Sequence, residues 1–165
     1  MKTSNLWIDG QDVLPSGGLY FDDLNPSDQS IIAKVAKGTT SDIDKAVAAA
    51  KSAFVSFSYT QAKDREAILS RAAALVERDR EEYLSLLIDE VGSPMMKAQF
   101  EVEYCINAFR AAAGVPRRLT GETMPLDRPG AFGMSVREPV GVIACITPFN
   151  VPLLKNVKQI AMVIA

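Results

Sequence analysis

Histidine is absent from the 165 residues. That absence removes Ser-His-Asp and Cys-His nucleophile systems and every His-ligated metal site. Only two cysteines occur, Cys105 and Cys145. Neither belongs to a CxxC pair, so a four-thiolate zinc site within one chain is excluded and no metal site is expected. Read alone, each cysteine is a small buried apolar residue, and a disulfide between them would be unusual in a cytosolic chain. No apolar stretch is long enough to span a bilayer. No basic run stands out among 18 basic and 20 acidic residues, which argues against nucleic acid or an anionic membrane as partner. Residues 1–12 carry one lysine and no apolar core of a secretory signal, which points to the cytoplasm. What is present, 48% apolar and 23% charged residues, describes a globular chain with a core of its own.

The chain changes period along its length. Residues 1–38 read as extended: Leu6-Trp7-Ile8 runs into an Asp9-Gly10 turn, Gly17-Gly18 precedes Leu19-Tyr20-Phe21, and residues 31–35 alternate as an edge strand. From Ser41 the period is helical, with Ser41 and Asp44 in a capping pattern and Ile43, Val47, Ala50 and Phe54 on one face. Residues 64–78 form a second helix, with Ile68, Ala72, Leu75 and Val76 inward and Arg65 on its outer face. Residues 80–91 form a third, with Leu84, Leu87, Ile88 and Val91 in a stripe, and Gly92 ends it. A fourth helix, residues 95–113, opens at Ser93-Pro94 and buries Val102, Cys105, Ile106, Phe109 and Ala113. Residues 119–125 and 131–137 can pair as a hairpin that would be marginal alone and so is a candidate oligomer contact.

The C-terminal stretch is where chemistry is expected. An apolar run, residues 140–146, reads as a strand buried on both faces. It turns through Thr147-Pro148-Phe149-Asn150 into a helical pattern. Ligands of open α/β sheets collect at the carboxyl ends of such strands. Taken without context, Asn150 is a helix N-cap and Thr147 a strand-end residue.

Two blocks, Glu138-Pro139-Val140-Gly141-Val142-Ile143 and Ile146-Thr147-Pro148-Phe149-Asn150-Val151-Pro152-Leu153, resemble the aldehyde dehydrogenase superfamily. Trp7-Ile8-Asp9-Gly10, Asn25-Pro26 with residues 31–38, the helix of residues 42–54, and Gly121-Glu122-Thr123 with Met134-Ser135-Val136-Arg137 resemble the same family in the same order. Details are similar to the subgroup acting on aromatic aldehydes. The resemblance implies an α/β fold, the N-terminal part of that family's architecture. Residues 1–118 would be strands and a four-helix layer of the cofactor-binding domain, 119–138 an oligomerisation hairpin, and 139–165 the first strand and helix of a Rossmann-like unit. It implies oxidation of an aldehyde to a carboxylic acid with NAD or NADP, by a cysteine nucleophile and a thioester that water hydrolyses. Asn150 would be the side-chain donor of the oxyanion hole. Ile146, Thr147, Pro148 and Phe149 would line the cofactor, and Val151 and Lys155 would face the aldehyde tunnel.

In that family the ribose-binding residues, the glutamate base and the cysteine nucleophile follow later than Ala165. The 165 residues are therefore expected to be inactive alone and not to bind the dinucleotide. Cys145 is rejected as nucleophile because it sits inside the apolar run, and Cys105 because its helix face packs inward. Gln159 stands where many members have a lysine assigned to proton relay; Lys158 lies about 100° around the helix and is no simple substitute. Residues 140–146 are expected either to pair in a rearranged way or to be covered by a second copy. The alternative is an interaction module that docks onto a C-terminal chain or a full-length relative. A third possibility is a degraded pseudo-enzyme.

Overall fold

The computed structural model describes residues 2–165. Five short strands come first: β1 (Lys2–Ser4), β2 (Leu6–Ile8), β3 (Gln11–Val13), β4 (Tyr20–Leu24) and β5 (Ile31–Ala36). Helices α1 (Thr40–Phe57), α2 (Ala62–Arg78), α3 (Arg80–Val91) and α4 (Met95–Ala113) follow, then a 3₁₀ turn (Pro116–Arg118), β6 (Thr123–Met124), β7 (Gly133–Met134) and α5 (Pro152–Ile164). The architecture is mixed α/β.

Asp9 and Gly10 both have positive φ, 54° and 71°, the geometry of a two-residue hairpin turn, and Ile8 pairs with Gln11 across it. β5 is not an edge strand. It lies between β1, to which it is parallel, and β4, to which it is antiparallel. The alternation read in residues 31–35 does not appear as one-sided burial: Ala33 and Ala36, three residues apart and so on opposite faces, are buried, while Ile31 is exposed.

α1 begins at Thr40, with Thr39 as N-cap, rather than at a Ser41–Asp44 cap. The Asp42 carboxylate accepts from the Thr39 N–H and hydroxyl, both at 2.9 Å, and from the Ser16 N–H at 3.1 Å. Three orphan donors of the helix start and the preceding loop are thereby satisfied by one buried acid. The apolar stripe of α1 does not enter the core: Ile43 is 63% exposed, and the helix rests mainly on β2.

The core is built on α4. Ala98, Val102, Cys105 and Ile106 are fully buried there, against Leu69, Ala73 and Val76 of α2, Leu84 and Leu87 of α3, and Val157 and Ala161 of α5. The spacing of three and four along α4 is the helical stripe of its sequence. α2 starts earlier than residue 64, and its buried residues are shifted: Leu69 and Ala73 are inside while Leu75 is 43% exposed. Gly92 ends α3 with φ 68°, the left-handed conformation that Gly adopts at no steric cost. Pro94, not Ser93, is the N-cap of α4.

The hairpin forms over two residues a side, with Thr123 opposite Met134, a shorter pairing than 119–125 with 131–137. A Cβ on Gly121 would collide with the Ser135 carbonyl oxygen, so glycine is required where the two arms meet.

Residues 140–146 form no strand. Val140 and Ile146 are 88% and 87% exposed, and Gly141 has φ 106°, outside extended backbone. The expected burial on both faces is therefore overturned for the described residues, as is the expected burial of Cys145, which is exposed. An apolar run becomes a strand only when neighbours satisfy its N–H and C=O groups, and none lies alongside it among the described residues.

Candidate functional site

The turn that leads into α5 holds the expected site residues. Thr147 is half-buried; Pro148, Phe149 and Asn150 are exposed, Phe149 almost wholly. Val151 is the N-cap position of α5 and Pro152 its first residue. Asn150 is thus not the N-cap; it precedes the first residue of the helix by two and is exposed. Val151 and Lys155 are both half-buried and sit one turn apart, joined by the Lys155 N–H to Val151 carbonyl bond at 3.0 Å. Structure therefore brings Ile146 through Lys155 into one local unit.

Three tertiary bonds fix that unit. The Gln159 amide donates to the Ile146 carbonyl at 3.1 Å and so holds the end of the 140–146 segment against α5. The Glu101 carboxylate, wholly buried on α4, accepts the Leu154 N–H at 3.0 Å. Arg65 donates to the Ala165 carbonyl; it faces inward, not outward as its helix pattern implied. An acid at the N-terminal end of α5 and a cation at its far end both complement the helix dipole. The signal for Glu101 was present in the sequence, because it lies three residues after Ala98 and four before Cys105, on the buried stripe of α4.

The N-terminus of α5 is not a phosphate cradle. Pro152 has no N–H, and the Leu154 N–H is committed to a carboxylate. Ile146 and Phe149 stand exposed on either side of the half-buried Thr147. Among the described residues no cluster of three or more His, Cys, Asp or Glu is placed to hold a metal ion, and no helix is long and apolar enough to cross a membrane. Two shallow surface depressions, one along α3 and one between the β2–β3 turn and α1, lie elsewhere. Burial, aided by Glu101, pushes the Cys105 thiol up to about 12, which leaves it protonated and unreactive.

Residues 14–165 match the model of the aldehyde dehydrogenase family. The chain belongs to the aldehyde dehydrogenase family. It is 35% identical to the vanillin dehydrogenase of Corynebacterium glutamicum over 96% of its own length and 33% of the relative's. A salicylaldehyde dehydrogenase from Pseudomonas putida G7, solved with salicylaldehyde, superposes with a TM-score of 0.96 at 27% identity over 99% of this chain and 34% of that one. An NAD-dependent benzaldehyde dehydrogenase from C. glutamicum gives 0.93 at 34% identity over 98% and 35%. The chain thus spans about a third of the length of the aldehyde dehydrogenases it matches.

Proposed function

We propose that these residues supply the oxyanion-hole turn and part of the cofactor-lining surface of an NAD(P)-dependent aldehyde dehydrogenase, and that by themselves they are inactive and do not hold the dinucleotide. The observation that carries this reading is the Asn150 turn: an exposed side-chain amide set just ahead of a helix whose first turn is fixed by a buried carboxylate. When a cysteine thiolate adds to an aldehyde carbon, negative charge grows on the carbonyl oxygen. A neutral amide N–H held in place stabilises that charge without reorganising, and losing one such donor costs about 10²–10³ in rate. Val151 and Lys155 line the approach of the aldehyde. Ile146, Thr147, Pro148 and Phe149 cover one face of the cofactor, which when bound supplies the hydride acceptor. Similarity to vanillin, salicylaldehyde and benzaldehyde dehydrogenases favours an aromatic aldehyde.

The nucleophile must come from elsewhere. Cys105 is buried and protonated. Cys145 is exposed, so burial does not argue against it, but it lies in the 140–146 segment, ahead of the Asn150 turn, and the nucleophile implied by the family lies outside these residues. The division into residues 1–118, 119–138 and 139–165 is retained as the domain reading, with the hairpin as the contact between copies in a cytoplasmic oligomer.

A second reading has its own support. Val140, Ile146 and Phe149 are each almost wholly exposed within ten residues of one another, which favours docking onto a C-terminal segment or a full-length relative. One experiment addresses both. Formation of NAD(P)H from benzaldehyde, vanillin and salicylaldehyde is followed with the 165-residue chain alone and with a polypeptide holding the remaining two-thirds of the vanillin dehydrogenase. Turnover only in the mixture is expected; clear turnover by the chain alone refutes the proposal. Co-elution of the two polypeptides without turnover favours the docking reading.

A further inference from the structure

Glu101 is a carboxylate wholly buried in an apolar helix interface, beside Ala98, Val102 and Cys105. Such a group is retained only where it is paired or hydrogen-bonded. Its Oε1 accepts the Leu154 N–H, but its Oε2 has no hydrogen-bond partner among the described residues. The Lys97 ammonium stands 3.6 Å away and is itself hydrogen-bonded to the Ser93 hydroxyl at 2.6 Å. Among the described residues, the one hydrogen bond that Glu101 makes is thus to the start of α5. That start has no cap of its own: Val151 cannot accept a hydrogen bond through its side chain, and Pro152 brings no donor.

We infer that Glu101 is the positioning residue of the Asn150 turn: by capping α5 from the neighbouring helix, it sets the orientation in which Asn150 presents its amide. This rests on the oxyanion-hole reading of Asn150. The geometry is short-range. Leu154 is the third residue of α5, and Asn150 precedes that helix by two residues. Releasing the Leu154 N–H frees the first turn, and the side chain of Asn150 follows the backbone it is attached to. An acid suits the position because it meets the positive end of the helix dipole. The apolar neighbours of Glu101 hold α4 and α5 together regardless, so the carboxylate is not needed for packing.

The test uses the 165-residue chain and three variants, Glu101→Gln, Glu101→Met and Glu101→Ala, and reads amide hydrogen exchange and the Asn150 side-chain amide resonances by NMR. Glu101→Met fills the volume without an acceptor. It is expected to lower protection of the Leu154 amide by roughly tenfold or more and to shift the Asn150 side-chain resonances, while Leu69 and Ile106 keep theirs. Glu101→Gln keeps an acceptor and is expected to retain most of the protection. Should Glu101→Ala fail to fold, the comparison of Met with Gln still decides. Unchanged Leu154 protection and unchanged Asn150 resonances in Glu101→Met overturn the inference, as does an equal loss in Met and Gln. None of these readouts involves turnover, so failure here is separable from failure of Asn150 as oxyanion donor.

Discussion

Ile106 and Ile43 occupy the same kind of place in the sequence, on an apolar stripe of a long helix, and different places in the structure. Ile106 is wholly buried on α4, whereas Ile43 is 63% exposed on α1. Replacing Ile106 by Ala removes three buried carbons, about 2.4 kcal/mol at about 0.8 kcal/mol each. The space left inside the interface of α4 with its neighbours adds a cavity cost, bringing the total to about 3–4 kcal/mol. For a chain of this length that lowers Tm by roughly 6–16 °C. The same replacement at Ile43 removes carbons already largely in water and is expected to cost roughly 0.5 kcal/mol or less. Urea denaturation followed by circular dichroism measures both, with the m-value as a check that the denatured state is unchanged. Equal destabilisation by the two variants would refute the assignment of the core to α4, and so would an Ile106→Ala variant as stable as the parent.

The Ser16 hydroxyl and the Thr39 N–H hold the Asp42 carboxyl well below the usual carboxylate range. A depressed folded-state value contributes stability that is present above the unfolded value near 3.8 and lost as pH falls through the folded one, so stability should decline on acidification below about pH 4, and Asp42→Asn should flatten that acid limb in thermal scans. Exposed Cys145 should react with a thiol reagent in the native chain while Cys105 reacts only after unfolding; mass spectrometry of the labelled peptides checks this, and native labelling of Cys105 would contradict its burial. Gly92→Ala should destabilise by about 1 kcal/mol or more, since Ala must adopt φ 68° and its Cβ would stand 2.8 Å from the Pro26 ring, as a shift in the urea midpoint would register.

Helical period was the most legible signal. The ends of α3 and α4 and the buried residues Leu84, Leu87, Val102, Cys105, Ile106 and Phe109 follow from spacing and from Gly92, because local stereochemistry sets them. The Asp9-Gly10 turn was legible for the same reason. Periodicity names a face but not its partner, which is why Ile43 looked interior and β5 looked like an edge. Residues 140–146 have strand composition, yet a strand needs neighbours, and composition cannot supply them. Within the site, Thr147 and Asn150 were legible as the polar residues that follow an apolar run, whereas their roles, and Ile146, Pro148, Phe149, Val151 and Lys155, came only through resemblance to a family. Glu101 and Gln159 act through the Leu154 N–H and the Ile146 carbonyl, at separations of 53 and 13 residues, and no local pattern announces a pairing of that kind.

The proposed function depends most on Asn150 acting as an oxyanion donor. The most direct test compares kcat and KM of the parent and Asn150→Ala chains, each mixed with the polypeptide that supplies the cysteine nucleophile, using benzaldehyde as substrate. A donor that acts chiefly in the transition state predicts a fall in kcat of about 10²–10³ with KM for the aldehyde changed far less. An Asn150→Ala mixture that turns over as fast as the parent would contradict it.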